Sequence, residues 1–150
     1  MDSISALLGD DHDRLDAILA QFLEEDDLPT AKKLFAAFDL GLRAHIDWEE
    51  DLLFPAFEEK TRMTDSGPTF VMRMEHAEIK QHLQHIQESI GTKELASAVE
   101  ELLQVLFHHN QKEERILYPW IDRALSPKRL ASMIQRIKSE QEKLLPPANP

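Results

Sequence analysis

Leu7, Leu8, Leu15, Ile18, Leu19 and Phe22 recur at helical spacing between about Ser3 and Glu25, the pattern of an amphipathic helix with one apolar stripe. A second stripe carries Leu34, Phe38, Leu42, Leu52 and Leu53. It runs to about Glu59 after Pro29, which suits a first helical turn. A polar stretch from Thr61 to Pro68 precedes a third helix, opened by Ser66 and Pro68 and closed by Gly91. A fourth helix is predicted from about Thr92 to Leu125. Ser126-Pro127 then opens a fifth, shorter one reaching Leu145, whose Lys128, Arg129, Arg136, Lys138 and Lys143 either dock a partner or cover a bundle end. Pro55 and Pro119 each remove a backbone donor late in a long helix, so a kink or an end is expected there. Four long helices with short connections predict an all-α fold, an antiparallel up-down four-helix bundle with a short C-terminal fifth helix. Residues 1–145 are read as one domain and 146–150 as a flexible tail.

The two halves of the bundle repeat one another. His45-Ile46-Asp47-Trp48-Glu49-Glu50 and its continuation Asp51-Leu52-Leu53-Phe54-Pro55 match His109-Asn110-Gln111-Lys112-Glu113-Glu114 and Arg115-Ile116-Leu117-Tyr118-Pro119 at an offset of 64 residues. The same offset carries Asp11 to Glu75, His12 to His76, Leu15 to Ile79 and Leu19 to Leu83. The chain therefore reads as a duplicated helical hairpin with a pseudo-twofold axis.

Each hairpin supplies one His on its first helix and a His-x-x-x-Glu on its second. Residues four apart differ by ~40° around a helix, so each such His and Glu share a face. That face is the apolar one. Phe38, Leu42, His45, Glu49, Leu52 and Ala56 form one stripe, and Ala98, Leu102, His109, Glu113, Ile116 and Trp120 form another. His12 falls among Leu8, Leu15 and Leu19, and His76 among Met72, Ile79 and Leu83. Four imidazoles and two carboxylates facing a core are costly unless paired. A pair of metal ions resolves the cost, with the two Glu bridging. Nitrogen and oxygen donors suit Fe, Mn or Zn. Six protein groups cannot fill two octahedral shells, which leaves positions for water or a small ligand.

Other polar positions carry less. His82 and His85 lie ~240° and ~180° around the helix from His76, and His108 is ~100° from His109, so all three are read as lying off the site. Glu50 and Glu114 are either partners that orient a His or solvated. Trp48 and Trp120 are read as packing. Tyr118, the sole tyrosine, has Phe54 as its repeat partner, so no chemical role shared by the two positions is expected.

The chain has 150 residues and no cysteine, which excludes disulfides, thiolate metal sites and cysteine nucleophiles. Its net charge of -11 excludes the basic footprint of a nucleic-acid binder. No apolar run approaches the ~20 residues needed to span a membrane. Met1-Asp2-Ser3-Ile4 lacks a basic n-region, so no signal peptide is expected and the reading is cytoplasmic.

The four His and two His-x-x-x-Glu motifs resemble the hemerythrin-like, or His-His-Glu cation-binding, family over nearly the whole chain up to about Leu125. The Glu-x-x-His motif of ferritin-like bundles is absent from these positions. The resemblance implies two iron ions joined by an oxo, hydroxo or water bridge. It implies His12, His45, His76 and His109 as terminal ligands and Glu49 and Glu113 as bridges, with an open site for oxygen, nitric oxide or peroxide. Oxygen-carrying hemerythrins have a further His four residues after the third-helix His, and here that position is Lys80. This points away from reversible oxygen carriage and toward bacterial relatives linked to sensing, nitric oxide or iron-centre repair. Asp16, the repeat partner of Lys80, joins it as a candidate flanking the open positions, either contacting a bound anion or water, pairing with Lys80, or adding a seventh ligand.

Two function classes follow. One is a protein that binds or senses a small ligand and needs a separate output partner. The other is a redox enzyme or iron-donating repair protein acting on nitric oxide, peroxide or damaged iron centres. A phosphotransfer bundle is disfavoured, because it needs an exposed reactive His and these face inward.

Overall fold

The computed structural model describes residues 2–144, and its described residues are helical with no strand. Helix α1 spans Ile4–Glu24 and α2 spans Leu28–Trp48. A π-helical turn, π1 (Glu49–Leu53), continues α2 into α3 (Phe54–Thr61). The second hairpin comprises α4 (Pro68–Ser89), α5 (Leu95–Lys112), the π turn π2 (Glu113–Leu117) and α6 (Tyr118–Ala124). Helix α7 (Pro127–Leu144) closes the described chain. The tail from Pro146 to Pro150 and the expected last residue of the fifth helix, Leu145, lie outside the described residues.

Local chemistry explains most boundaries. Ser3 accepts from the Ala6 N–H at 3.0 Å, and Asp27 caps α2 by accepting from the Thr30 N–H at 3.1 Å. The Asp122 carboxylate of α6 accepts from the Ile4 N–H at 2.8 Å and the Ser5 N–H at 3.1 Å, tying the start of α1 to the end of the bundle. Ser126 caps α7 through the Arg129 N–H at 3.2 Å. Helix α4 starts at Pro68 as expected, but its cap differs. Gly67, at φ 90°, is its N-cap, and no side-chain hydrogen bond from Ser66 contributes. Gly91 lies at φ 86° just past α4, the left-handed geometry that favours glycine.

Helix α1 packs on α2 and α4 on α5, with α2 against α4 and α1 against α6. The apolar interior forms two clusters. One holds Leu15, Leu19, Phe22, Phe35, Phe38, Leu42, Ile79, Leu83, Leu102 and Leu106. The other holds Ile4, Leu8, Leu53, Phe54, Phe57, Met72, Leu117, Tyr118 and Ile121. Helix α7 covers this second end, burying Ile134 and Ile137 in it. Asp11 and His12 of α1 fall between Leu8 and Leu15, and His76 of α4 between Met72 and Ile79, so the polar layer crosses the bundle between two apolar blocks. No helix of the described residues is long and apolar enough to cross a membrane.

Pro55 and Pro119 neither end nor simply kink their helices. Each follows a π turn in which the N–H of residue 54 or 118 reaches back to the carbonyl of Glu49 or Glu113. A π turn takes in one extra residue, so the inward face shifts by one position beyond each Glu. Leu53 and Leu117 are buried, whereas Leu52 is half-buried and Ile116 is 56% exposed. The expected stripe is corrected at Ile116, whose place in the core Leu117 takes; Leu52 and Trp120 remain half-buried against the second cluster.

Candidate metal centre

His12 comes from α1, His45 from the last turn of α2, His76 from α4 and His109 from the end of α5. Glu49 and Glu113 open the two π turns. All six are buried, none more than 3% exposed. On one side His12 Nε2 lies 3.2 Å from Glu113 Oε1, and His45 Nε2 lies 3.7 Å from Glu49 Oε2. On the other, His76 Nε2 lies 3.1 Å from Glu49 Oε1, and His109 Nε2 lies 3.2 Å from Glu113 Oε2. Each carboxylate thus turns one oxygen to each half of the site.

Close approach here is not pairing. Glu49 Oε1, His76 Nε2 and Glu113 Oε2 are buried and make no aligned hydrogen bond. These three atoms converge on common space, which leaves a cost that a cation would remove. Two groups can each hold one ion, Glu49 with His76, His109 and Glu113, and His12 with His45 and Glu113.

The outer nitrogens of the rings repeat a single theme. His12 Nδ1 is 2.9 Å from Glu114, His45 Nδ1 2.8 Å from Asp11, His76 Nδ1 2.7 Å from Glu50, and His109 Nδ1 2.9 Å from Glu75. A carboxylate that accepts from Nδ1–H fixes the tautomer and leaves the Nε2 lone pair aimed inward. Glu50 and Glu114 are therefore His partners and not merely solvated. Asp11 and Glu75 complete the set, and sequence reasoning had not given them this role. The signal was acidity recurring at one repeat position beside His12 and His76. Arg14 steadies Asp11 from outside, and Lys112 steadies Glu75.

Electrostatics of the metal-free cluster follow from this crowding. Burial opposes charge on His12, but hydrogen bonding to Glu113 and its negative charge outweigh it and raise its pKa to about 9. Burial likewise opposes charge on His76, yet Glu113, Glu49 and Glu50 push it up to about 11. Burial and the neighbouring Glu113 raise Glu49. Burial would raise Glu113 too, but charged His109 and several hydrogen bonds hold it well below the usual carboxylate range.

Tyr118 was not expected at the site. Its hydroxyl donates to Glu49 Oε2 at 2.7 Å and lies 3.0 Å from Glu113 Oε1, 3.1 Å from His45 Nε2 and 3.4 Å from His12 Nε2. In an α-helix a residue five past Glu113 would stand ~140° away around the axis. The π turn absorbs one residue and brings Tyr118 onto the face of Glu113.

Asp16 is exposed and lies outside both metal-capable groups, lining a surface pocket of about 350 Å³ with Asn110 and Glu114. It is not a seventh donor in this arrangement. Lys80 is half-buried near Glu50 and helps hold that carboxylate ionised, after the larger effect of the His76 hydrogen bond. No ion pair joins Asp16 to Lys80 among the described residues. His82 and His85 face Glu101 at 3.8 Å, and His108 is exposed, all away from the cluster as expected.

A family model, the hemerythrin HHE cation binding domain, matches residues 3–121. The chain belongs to the hemerythrin HHE family. The match begins at the cap of α1 and ends within α6, so it spans every element that carries a donor of the hemerythrin-like cluster. Neither the curated proteins nor the solved structures compared with the chain gave a match.

Proposed function

We propose that this hemerythrin-like chain holds a non-haem di-iron pair and binds or senses a small ligand, oxygen, nitric oxide or peroxide, at an open position on it. His12, His45, His76 and His109 are the terminal ligands, and Glu49 and Glu113 bridge the two ions. The observation that carries this reading is the convergence of four buried His and two buried Glu in which Glu49 Oε1, His76 Nε2 and Glu113 Oε2 find no aligned partner. The donor set contains no sulfur and fits iron, with manganese or zinc as competitors.

A bound iron pair would supply Lewis acidity and redox change toward a small ligand. The protein's own contribution is placement. Four Nδ1 carboxylates hold the rings in one tautomer, and the apolar clusters on both sides keep water from the layer. Lys80 supports sensing over carriage, because it occupies the position of a further His and engages Glu50 instead.

The test is to express the full chain, reconstitute it anaerobically with ferrous iron, and follow metal content and the visible spectrum on exposure to air, nitric oxide and azide. The expected result is an iron pair per chain whose spectrum responds to these ligands, with uptake lost in His109→Ala and Glu113→Ala. A folded, colourless chain that takes up neither iron, manganese nor zinc would overturn the reading.

A further inference from the structure

The repeat gives each half of the site the same donor set, two His and a share of both Glu, but the aromatic ring packed against that set differs between the halves. Tyr118 and Phe54 stand at the same place in the two hairpins. The Tyr118 ring centroid is 5.7 Å from that of His12, and the Phe54 ring centroid is 5.7 Å from that of His76. Only the first of these rings carries an oxygen.

We infer that Tyr118 Oη is a fifth protein donor to the ion held by His12 and His45, which leaves the ion held by His76 and His109 as the one open to small ligands. This rests on the metal-pair reading above. The geometry points to it in three ways. First, donors adjacent on one octahedral ion, each ~2.1 Å from the metal, lie ~3 Å from one another. Tyr118 Oη has four such neighbours, His12 Nε2, His45 Nε2, Glu49 Oε2 and Glu113 Oε1, at 2.7–3.4 Å. A ligand at one vertex of an octahedron has four adjacent vertices. Second, the phenol is fully buried and its hydroxyl is directed into the cluster, donating to Glu49 Oε2 at 2.7 Å and not to any group outside it. Third, the orphaned donor atoms Glu49 Oε1, His76 Nε2 and Glu113 Oε2 all belong to the other half, where Phe54 offers no oxygen. On loading, the Tyr118 O–H bond breaks, its proton passes to solvent and the oxygen bonds the metal, as metal binding commonly releases protons.

The chain has one tyrosine, so any tyrosinate signal is assigned without a variant. The experiment loads the full chain with ferric iron and records the visible phenolate-to-iron charge-transfer band and its resonance-enhanced tyrosine vibrations. The parallel sample is Tyr118→Phe, checked for helicity and for iron content. The expected result is a tyrosinate signature in the wild-type chain and its complete loss in Tyr118→Phe. Iron uptake with no tyrosinate signature in the wild-type chain would overturn the assignment while leaving the metal pair standing. Failure of the wild-type chain to take up iron would overturn both.

Discussion

His45 Nδ1 stands 2.8 Å from the carboxylate of Asp11, a contact between α2 and α1 in which both side chains are 1% exposed. Its repeat counterpart joins His109 to Glu75 at 2.9 Å. The first is the more deeply buried, since Glu75 is 21% exposed. Burial holds the hydrogen bond in a low-dielectric setting and keeps competing water away.

Asp11→Asn should therefore lower metal affinity about 10–100-fold, the usual consequence of removing a carboxylate behind a metal-bound His. Competition against a chelator with zinc as the probe measures this. Glu114→Gln, at a partner that is 43% exposed, should cost less. Equal effects at the two positions would show that burial does not set the contribution.

The metal-free chain should lose stability as pH rises. The folded pKa values of His12 and His76, about 9 and about 11, lie above the ordinary His value near 6.5. A raised pKa means that protonation favours the folded state. That contribution is complete below about pH 6.5 and disappears as pH climbs through the folded values. Thermal melts of the metal-free chain should fall between about pH 7 and about pH 10. Metal-loaded chain, its imidazoles already deprotonated, should show a much weaker decline. A flat profile for the metal-free chain would mean that these rings are neutral in the folded state.

Leu117→Ala should destabilise by about 2–5 kcal/mol, and Ile116→Ala by no more than about 0.5 kcal/mol. Leu117 is 1% exposed and Ile116 56% exposed. Chemical denaturation of the two variants checks this. An uninterrupted α-helix through Glu113 would reverse the order, so the pair reads out the π turn directly.

Phe54→Tyr would place a second phenol at the half of the site served by His76 and His109. Azide affinity of the iron-loaded variant should drop about 10-fold or more, the effect of lost access worth ~1.4 kcal/mol. An unchanged azide affinity would show that the anion binds elsewhere.

Much of this protein was legible in its sequence. Helical periodicity, the proline and glycine stops and the repeat of 64 residues specify a helical bundle. They also turned His12, His45, Glu49, His76, His109 and Glu113 inward, and the structure buries all six. These readings succeeded because side-chain direction in an α-helix follows from residue number alone. Where that rule holds, a linear pattern determines a face, and a duplicated pattern determines a second face opposite the first.

Only the tertiary structure decided the rest. The π turns broke the ~100° step per residue at Glu49 and Glu113, which exchanged Ile116 for Leu117 in the core and carried Tyr118 into the cluster. Proline announced a disturbance but not its kind, because a missing N–H can be met by a kink, an end or a wider turn. The pairing of Asp11 with His45 and of Glu114 with His12 depended on how α1 sits against α2 and π2. The sequence determined which residues could serve the centre; the packing of the helices and the width of two backbone turns decided which of them reach it.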